Sequence, residues 1–175
     1  MNITSIIDIV GTNVLGGGIV MQLYIYNDSF TDFIEQYQLT DEQLEFTGTP
    51  KECLELSKED RDRHSILAID EEKLVVFFVL HRHEGIKPYS NNKNAILIRA
   101  FSTDNRYQGK GYAKKALMLL PDFVKRNYAD INEIVLAVNV KNVAAQGLYK
   151  KCGYLDNGGR VMGIKGELIV MSYDL

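Results

Sequence analysis

The stretch Gln108-Gly109-Lys110-Gly111-Tyr112-Ala113 decides how this chain is read. Before it, residues 95–101 form an apolar run with strand character. After it, Ala113, Ala116, Leu117, Leu120, Phe123 and Val124 recur at helical spacing. The hexapeptide is therefore a strand-to-helix turn. Small residues at Gly109, Gly111 and Ala113 admit a ligand close to the backbone. Free amides at a helix start, aided by the helix dipole, attract an anion such as a pyrophosphate. The steric demand of a tight turn explains the same glycines, so the stretch alone leaves both readings open. The triphosphate loop GxxxxGK(S/T) and the dinucleotide fingerprint GxGxxG are both absent.

Working outward, Leu23 and Ile25 alternate with Tyr24 and Tyr26 in a first strand over residues 22–26. Phe30, Phe33, Ile34 and Tyr37 mark one face of a helical region over 30–46. A second helix runs from Pro50 to about residue 61, with Thr49 as its N-cap. Apolar runs at 65–69 and 74–80 flank Asp70-Glu71-Glu72-Lys73, which reads as a hairpin turn. Residues 85–94, polar and holding Pro88, form a loop before the fourth strand. Pro121 should kink or divide the long helix that starts near Gly111, because it cannot donate to the Leu117 carbonyl. A strand at 133–138 and a helix at 142–152 follow, the helix capped by Asn142 and stopped by Gly153. Two last strands, near 154–156 and 167–174, are joined by a glycine-rich turn. The order β-α-α-β-β-β-α-β-α-β-β predicts one α/β (α+β) domain with a mixed sheet.

Length and composition fit this. A chain of 175 residues makes about one domain at roughly 150 residues each. At 46% apolar and 25% charged residues, disorder and disulfide scaffolds are excluded. A formal net charge of −3 carries no basic excess, so nucleic acid is not an expected partner. No apolar run is long enough to span a bilayer, and a cytoplasmic protein is expected. Cys53 and Cys152 stand without a CxxC or Cys/His cluster, which argues against zinc and for two reduced thiols, with one disulfide as the alternative. Residues 1–20 lack a basic start and contain Asp8, unlike a secretory signal. They are set aside as a leader of uncertain status, and residues 21–175 are taken as the domain.

A second motif lies about thirty residues beyond the first, over Asn142, Ala145, Leu148, Tyr149, Gly153 and Tyr154. Alone, it is a capped amphipathic helix whose Tyr149 is a core aromatic. Taken with Gln108, Gly111 and Ala113, it resembles the GNAT superfamily of N-acetyltransferases. That family carries Q/R-x-x-G-x-G/A after its fourth strand and N-x-x-A-x-x-L-Y-x-x-x-G-F/Y later, in this order. The element order resembles the family's from Gln22 to Leu175. The wider pattern around Ile98-Arg99-Ala100-Phe101 is most similar to bacterial small-molecule acetyltransferases near the polyamine branch.

The resemblance implies a mostly antiparallel sheet of six to seven strands, about four flanking helices, and fourth and fifth strands that splay apart. It implies acetyl-CoA as co-substrate, with no metal. The amides of Gly109, Lys110, Gly111, Tyr112 and Ala113 would bind its pyrophosphate, with Gln108 part of the same motif. The backbone of Phe101, Ser102 and Thr103 would pair with the pantetheine arm. Asn142 would contact the cofactor, and Tyr149 would protonate the departing thiolate. An amine acceptor must lose a proton before attack, and the oxyanion needs a donor such as a strand amide near Phe101. The fourth strand holds no acid; Glu84 and Asp104 are the nearby candidates for a base, each reading first as a solvated loop charge. His81 and His83 read as strand-end histidines. Lys110, Lys114 and Lys115 could meet CoA phosphates or simply face water. Arg99 in a strand calls for an acceptor, and a structural ion pair is the leading reading. Glu35, Asp41, Glu42 and Glu45 could attract a cationic acceptor.

The function expected is acetyl transfer to a primary amine of a small molecule, polyamine-like compounds included, by direct attack in a ternary complex. The alternatives are a silent acyl-CoA-binding regulatory module and a protein lysine or N-terminal acetyltransferase. A homodimer is compatible with the resemblance.

Overall fold

A computed structural model of the chain describes residues 20–175; apart from Val20, the expected leader lies outside the described residues. Seven strands form one sheet: β1 (Gln22–Ile25), β2 (Arg63–Asp70), β3 (Lys73–His81), β4 (Ala95–Thr103), β5 (Glu133–Asn139), β6 (Leu155–Gly163) and β7 (Gly166–Asp174). Among the described residues five α-helices flank it: α1 (Thr31–Gln36), α2 (Asp41–Leu44), α3 (Pro50–Glu59), α4 (Tyr112–Asn127) and α5 (Val143–Lys151). The sheet order is β1-β2-β3-β4-β5-β7-β6. Every neighbouring pair is antiparallel except β4 and β5, which run parallel and are joined by the α4 crossover.

Both faces of the central strands are covered, so β3 is a nearly continuous apolar run, buried from Leu74 to His81. Its alternation still sorts the core. Phe78 and Leu80 pack on the α4 side with Leu117, Leu120 and Val124. Phe77 and Val79 pack on the other side with Phe30, Ile34 and Cys53. Cys53 and Cys152 are both free thiols.

Three elements differ from the sequence expectation. The helical region expected over 30–46 is two short helices, because Tyr37 turns extended (ψ 132°) and Thr40 starts a new capping box with Gln43. Pro121 does not divide α4, which runs unbroken from Tyr112 to Asn127. Strand β6 is nine residues long rather than three. The expected glycine-rich turn is an irregularity inside it, where the register shifts between Asp156 and Arg160. The caps are as expected: the Thr49 side chain accepts from Glu52 N with Pro50 opening α3, and Asn142 accepts from Ala145 N to open α5.

The β2–β3 hairpin closes through a two-residue turn, Asp70 pairing with Lys73. Glu71 and Glu72 both sit at positive φ, 45° and 63°. This conformation matches the twist of a tight hairpin but crowds the Cβ of an ordinary L-residue. The double variant Glu71→Asn, Glu72→Gly should therefore be more stable by about 1–2 kcal/mol, read as a raised melting temperature.

Candidate active site

The parallel pairing of β4 with β5 lasts only from Ala95–Glu133 to Ile98–Leu136. Beyond that point β5 follows β7, with which it stays in register as far as Asn139. Strand β4 follows β3 instead and carries an extra residue between its pairings Val79–Arg99 and Phe77–Ser102. Ala100 sits in this bulge at φ 50°. The two strands thus part, and residues 99–103 have no β5 partner. Side-chain amides patch the open ends. Gln43 Nε2 donates to Thr103 O at 2.7 Å, and Gln146 Nε2 donates to the carbonyls of Asn139 (3.1 Å) and Val140 (2.9 Å).

The opening leads into a cleft of about 1740 Å³. Phe101, Ser102, Thr103, Gln108, Gly109, Gly111, Tyr112, Ala113, Asn142 and Tyr149 all line it; among the expected site residues only Lys110 does not. Gly109 and Gly111 adopt φ 73° and 80°, so both need glycine for conformation. A Cβ built on either meets nothing within 4 Å, so the space above the turn is open. The first helical bond of α4 is donated by Lys115 N to Gly111 O, and the amides of residues 109–114 donate to no oxygen of the described residues. Lys114 lines the cleft, while Lys110 and Lys115 lie over the rings of Tyr107 and Tyr112.

Tyr149 is 7% exposed and packs edge-on against Phe101 and Tyr154, at 6.2 and 6.0 Å between centroids. Burial pushes its phenol well above the usual tyrosine range, with a smaller push from Cys152. It is therefore protonated at neutral pH. Cys53, also in the cleft wall, is pushed up to about 11 by burial, against a partial pull down from Arg63. It is a neutral thiol at neutral pH, not a nucleophile.

The other half of the cleft is walled by α2 and α3, where Glu42, Glu45, Glu52, Glu55 and Glu59 line it. Glu35 and Asp41, expected there from the sequence, do not. The α3 glutamates were readable from their spacing, since 52, 55 and 59 share one helix face. Neither acid considered as a base reaches this space. Glu84 is exposed and pairs with Lys87. Asp104 is 0% exposed and is a latch rather than a solvated charge. It accepts from Gln38 N (3.1 Å), Arg106 N (2.9 Å), Arg106 Nε (2.9 Å) and Arg106 Nη2 (2.7 Å). Tyr37 Oη donates to Ser102 O at 2.8 Å beside it. Together these bonds hold the α1–α2 connection against the end of β4. His81 and His83 face Asp60 and Asp62, each at 2.9 Å. Among the described residues no cluster of His, Cys, Asp or Glu could hold a metal ion. Arg99 also departs from expectation: among the described residues no carboxylate lies within 4.0 Å of it, and its guanidinium stands 5.6 Å from the Tyr89 ring centroid.

A splayed sheet with an open-amide turn and a protonated phenol in one cleft is the architecture of an acyl-CoA-dependent transferase. A model of the acetyltransferase (GNAT) family matches residues 23–154, and the chain belongs to that family. It is an N-acetyltransferase. It is 37% identical over 156 residues to the uncharacterized N-acetyltransferase YbbJ of Bacillus subtilis (strain 168), covering 89% of this chain and 98% of that one. It is 32% identical over 132 residues to the spermine/spermidine N(1)-acetyltransferase of the same organism, covering 74% and 82%. The fold is similar to that of AAC(6')-Ib with acetyl-CoA (TM-score 0.72, 14% identity, 88% and 93% covered). It is also similar to spermidine N-acetyltransferase from Vibrio cholerae with CoA and spermine (TM-score 0.66, 18% identity, 88% and 95% covered).

Burial pushes the Asp104 carboxyl up, but the side-chain and backbone hydrogen bonds from Arg106 and that from Gln38 outweigh it and hold it below the usual carboxylate range. The stability it adds is thus complete above its unfolded pKa, about 4, and is lost as pH falls through the lower folded value. Asp104→Asn should lose about 3 kcal/mol at pH 7, measured by urea unfolding, and the deficit should shrink steadily as pH falls below about 4.

Proposed function

We propose that this chain transfers the acetyl group of acetyl-CoA to the primary amine of a small molecule, by direct attack within a ternary complex in a single domain spanning residues 21–175. The observation that carries the reading is the meeting, in one cleft, of the open amides at residues 109–114, the unpaired stretch of β4 and the Tyr149 phenol. The diphosphate of the coenzyme sits on the Gly109–Ala113 amides, including that of Lys110, with Gln108 shaping the turn. The pantetheine arm lies in the gap beside Phe101, Ser102 and Thr103. The carbonyl of Thr103 already accepts from Gln43, so the backbone of Phe101 offers the free partner groups. Asn142 uses its carbonyl oxygen as the α5 cap, which leaves its NH2 for the coenzyme.

An alkylamine is mostly protonated at pH 7 and must lose that proton to attack. With Glu84 and Asp104 engaged elsewhere, the proton leaves through water in the wide cleft, past the rim glutamates of α2 and α3. The same glutamates draw a cationic acceptor in. An amide of the bulged segment near Phe101 stabilises the oxyanion. As the C–S bond breaks, Tyr149 Oη–H gives its proton to the thiolate. No acyl-enzyme is needed, since the one thiol in the cleft wall, Cys53, is neutral.

Tyr149→Phe should lower kcat about 100-fold or more while leaving the Kd for acetyl-CoA within about twofold, measured by thiol release and by calorimetry. Undiminished turnover in this variant removes Tyr149 from the mechanism.

A further inference from the structure

At and beneath the floor of the other half of the cleft lie four polar atoms that are buried and have no hydrogen-bond partner among the described residues: Nε of Arg63 and of Arg99, whose residues line the cleft, and Oγ of Ser65 and Nε2 of His81, whose residues lie under it. They are not scattered. The strand register sets Arg63 opposite His81, Ser65 opposite Val79, and Val79 opposite Arg99. Residues opposite one another, and residues two apart, share a sheet face. All four side chains therefore occupy two adjacent rows on one face of β2, β3 and β4, the face that carries Cys53 of α3. Arg63 and Arg99 both line the cleft.

The chemistry of this patch is one-sided. A guanidinium is donor only and keeps its charge at any working pH. Among the described residues, neither arginine has a carboxylate within 4.0 Å. Arg63 Nη1 touches only His81 Nδ1, at 3.5 Å, and Arg99 lies over Tyr89. Asp60 is 2.9 Å from His81 Nε2, out of line for a hydrogen bond, and accepts from Asp62 N. Burial and both guanidinium charges push the His81 ring below its ordinary range, so it stays neutral at pH 7. Asp60 is the opposite charge that acts on both guanidiniums, and it lies beyond 4.0 Å of each, so a carboxylate arriving from the cleft can meet them with paired oxygens.

We infer that Arg63 and Arg99 form a subsite for a carboxylate of the acceptor, so that the molecule acetylated is an amine that also carries a carboxylate. The inference rests on the acetyl-transfer reading and narrows its substrate class. Arg99 precedes Phe101 by two residues, about 7 Å along a strand, so one small molecule reaches both the anion subsite and the thioester. The floor is cationic and the α2–α3 rim is acidic, a pairing that suits a zwitterion. A polyamine supplies no acceptor for the floor and brings further positive charge against it.

The test is thiol release from acetyl-CoA with matched pairs of acceptors: α- and ω-amino acids, their amides, alkylamines of equal length, aminoalkyl phosphonates, and spermidine. Each amino carboxylate should exceed its uncharged counterpart in kcat/KM by about 10- to 100-fold. The preference should collapse in Arg99→Gln and in Arg63→Gln, with acetyl-CoA affinity unchanged. Independently of turnover, the preferred amino carboxylate should raise the melting temperature of the wild-type protein and not of either variant. Without ligand, Arg99→Met should melt no lower than wild type, since a half-buried charge with no carboxylate within 4.0 Å is removed. Equal or better use of spermidine, alkylamines or phosphonates overturns the carboxylate subsite, as does a preference that survives both variants. Failure to bind acetyl-CoA overturns the transfer reading instead, and the melting shift then decides the subsite by itself.

Discussion

The molecule is organised around one broken pairing. Strands β4 and β5 are parallel partners for four residues and then part, because each is held more completely by its other neighbour. A parted sheet leaves backbone groups that must find partners elsewhere. Gln43 and Gln146 supply some of them. The remainder, along residues 99–103, face a gap suited to an extended ligand that pairs like a strand. The bulge at Ala100 belongs to the same constraint, since it lets β4 stay with β3 while turning away from β5. The cleft exists because of this parting, and in the proposed reading the coenzyme and the acceptor approach it from its two ends.

Burial and charge then divide the labour. On the proposed coenzyme side, α4 begins with amides that no oxygen of the described residues satisfies, above a turn that two glycines at positive φ keep open. On the acceptor side, Asp104 and Arg106 fix the α1–α2 connection to the end of β4, so the glutamates of α2 and α3 face the cleft from a held position. The latch is costly to bury but fully hydrogen-bonded, which is the condition under which a buried charge persists. The floor arginines break that condition, and they do so at the place where an acceptor's own charge could complete it.

Much of this was legible in the sequence where local rules decide the outcome. Period-two runs located the strands, Thr49-Pro50 and Asn142 located helix starts, and the two spaced motifs located the cleft residues, Tyr149 among them. What the sequence hid was set by contacts between distant segments. The break after Gln36 depends on Tyr37 reaching Ser102 and on Gln38 reaching Asp104. The length of β6 was masked by glycines that sit within the strand. Asp104 looks like any loop aspartate until Arg106 and Gln38 close around it. Arg99 reads first as half of a structural ion pair; the strand register places Val79 opposite it, and no carboxylate of the described residues lies within 4.0 Å. The glutamates at 52, 55 and 59 were visible in their spacing, but only the fold shows that this helix face borders the cleft.

The claim on which all else depends is that the amides at residues 109–113 receive the coenzyme's diphosphate. Amide-resolved NMR titration with CoA, run beside phosphate-free pantetheine, tests it most directly. The account predicts saturable shifts of the amides of Gly109, Lys110, Gly111, Tyr112 and Ala113 with CoA, and little movement there with pantetheine, which should shift residues near Phe101. Saturable CoA binding that leaves those five amides unmoved contradicts it.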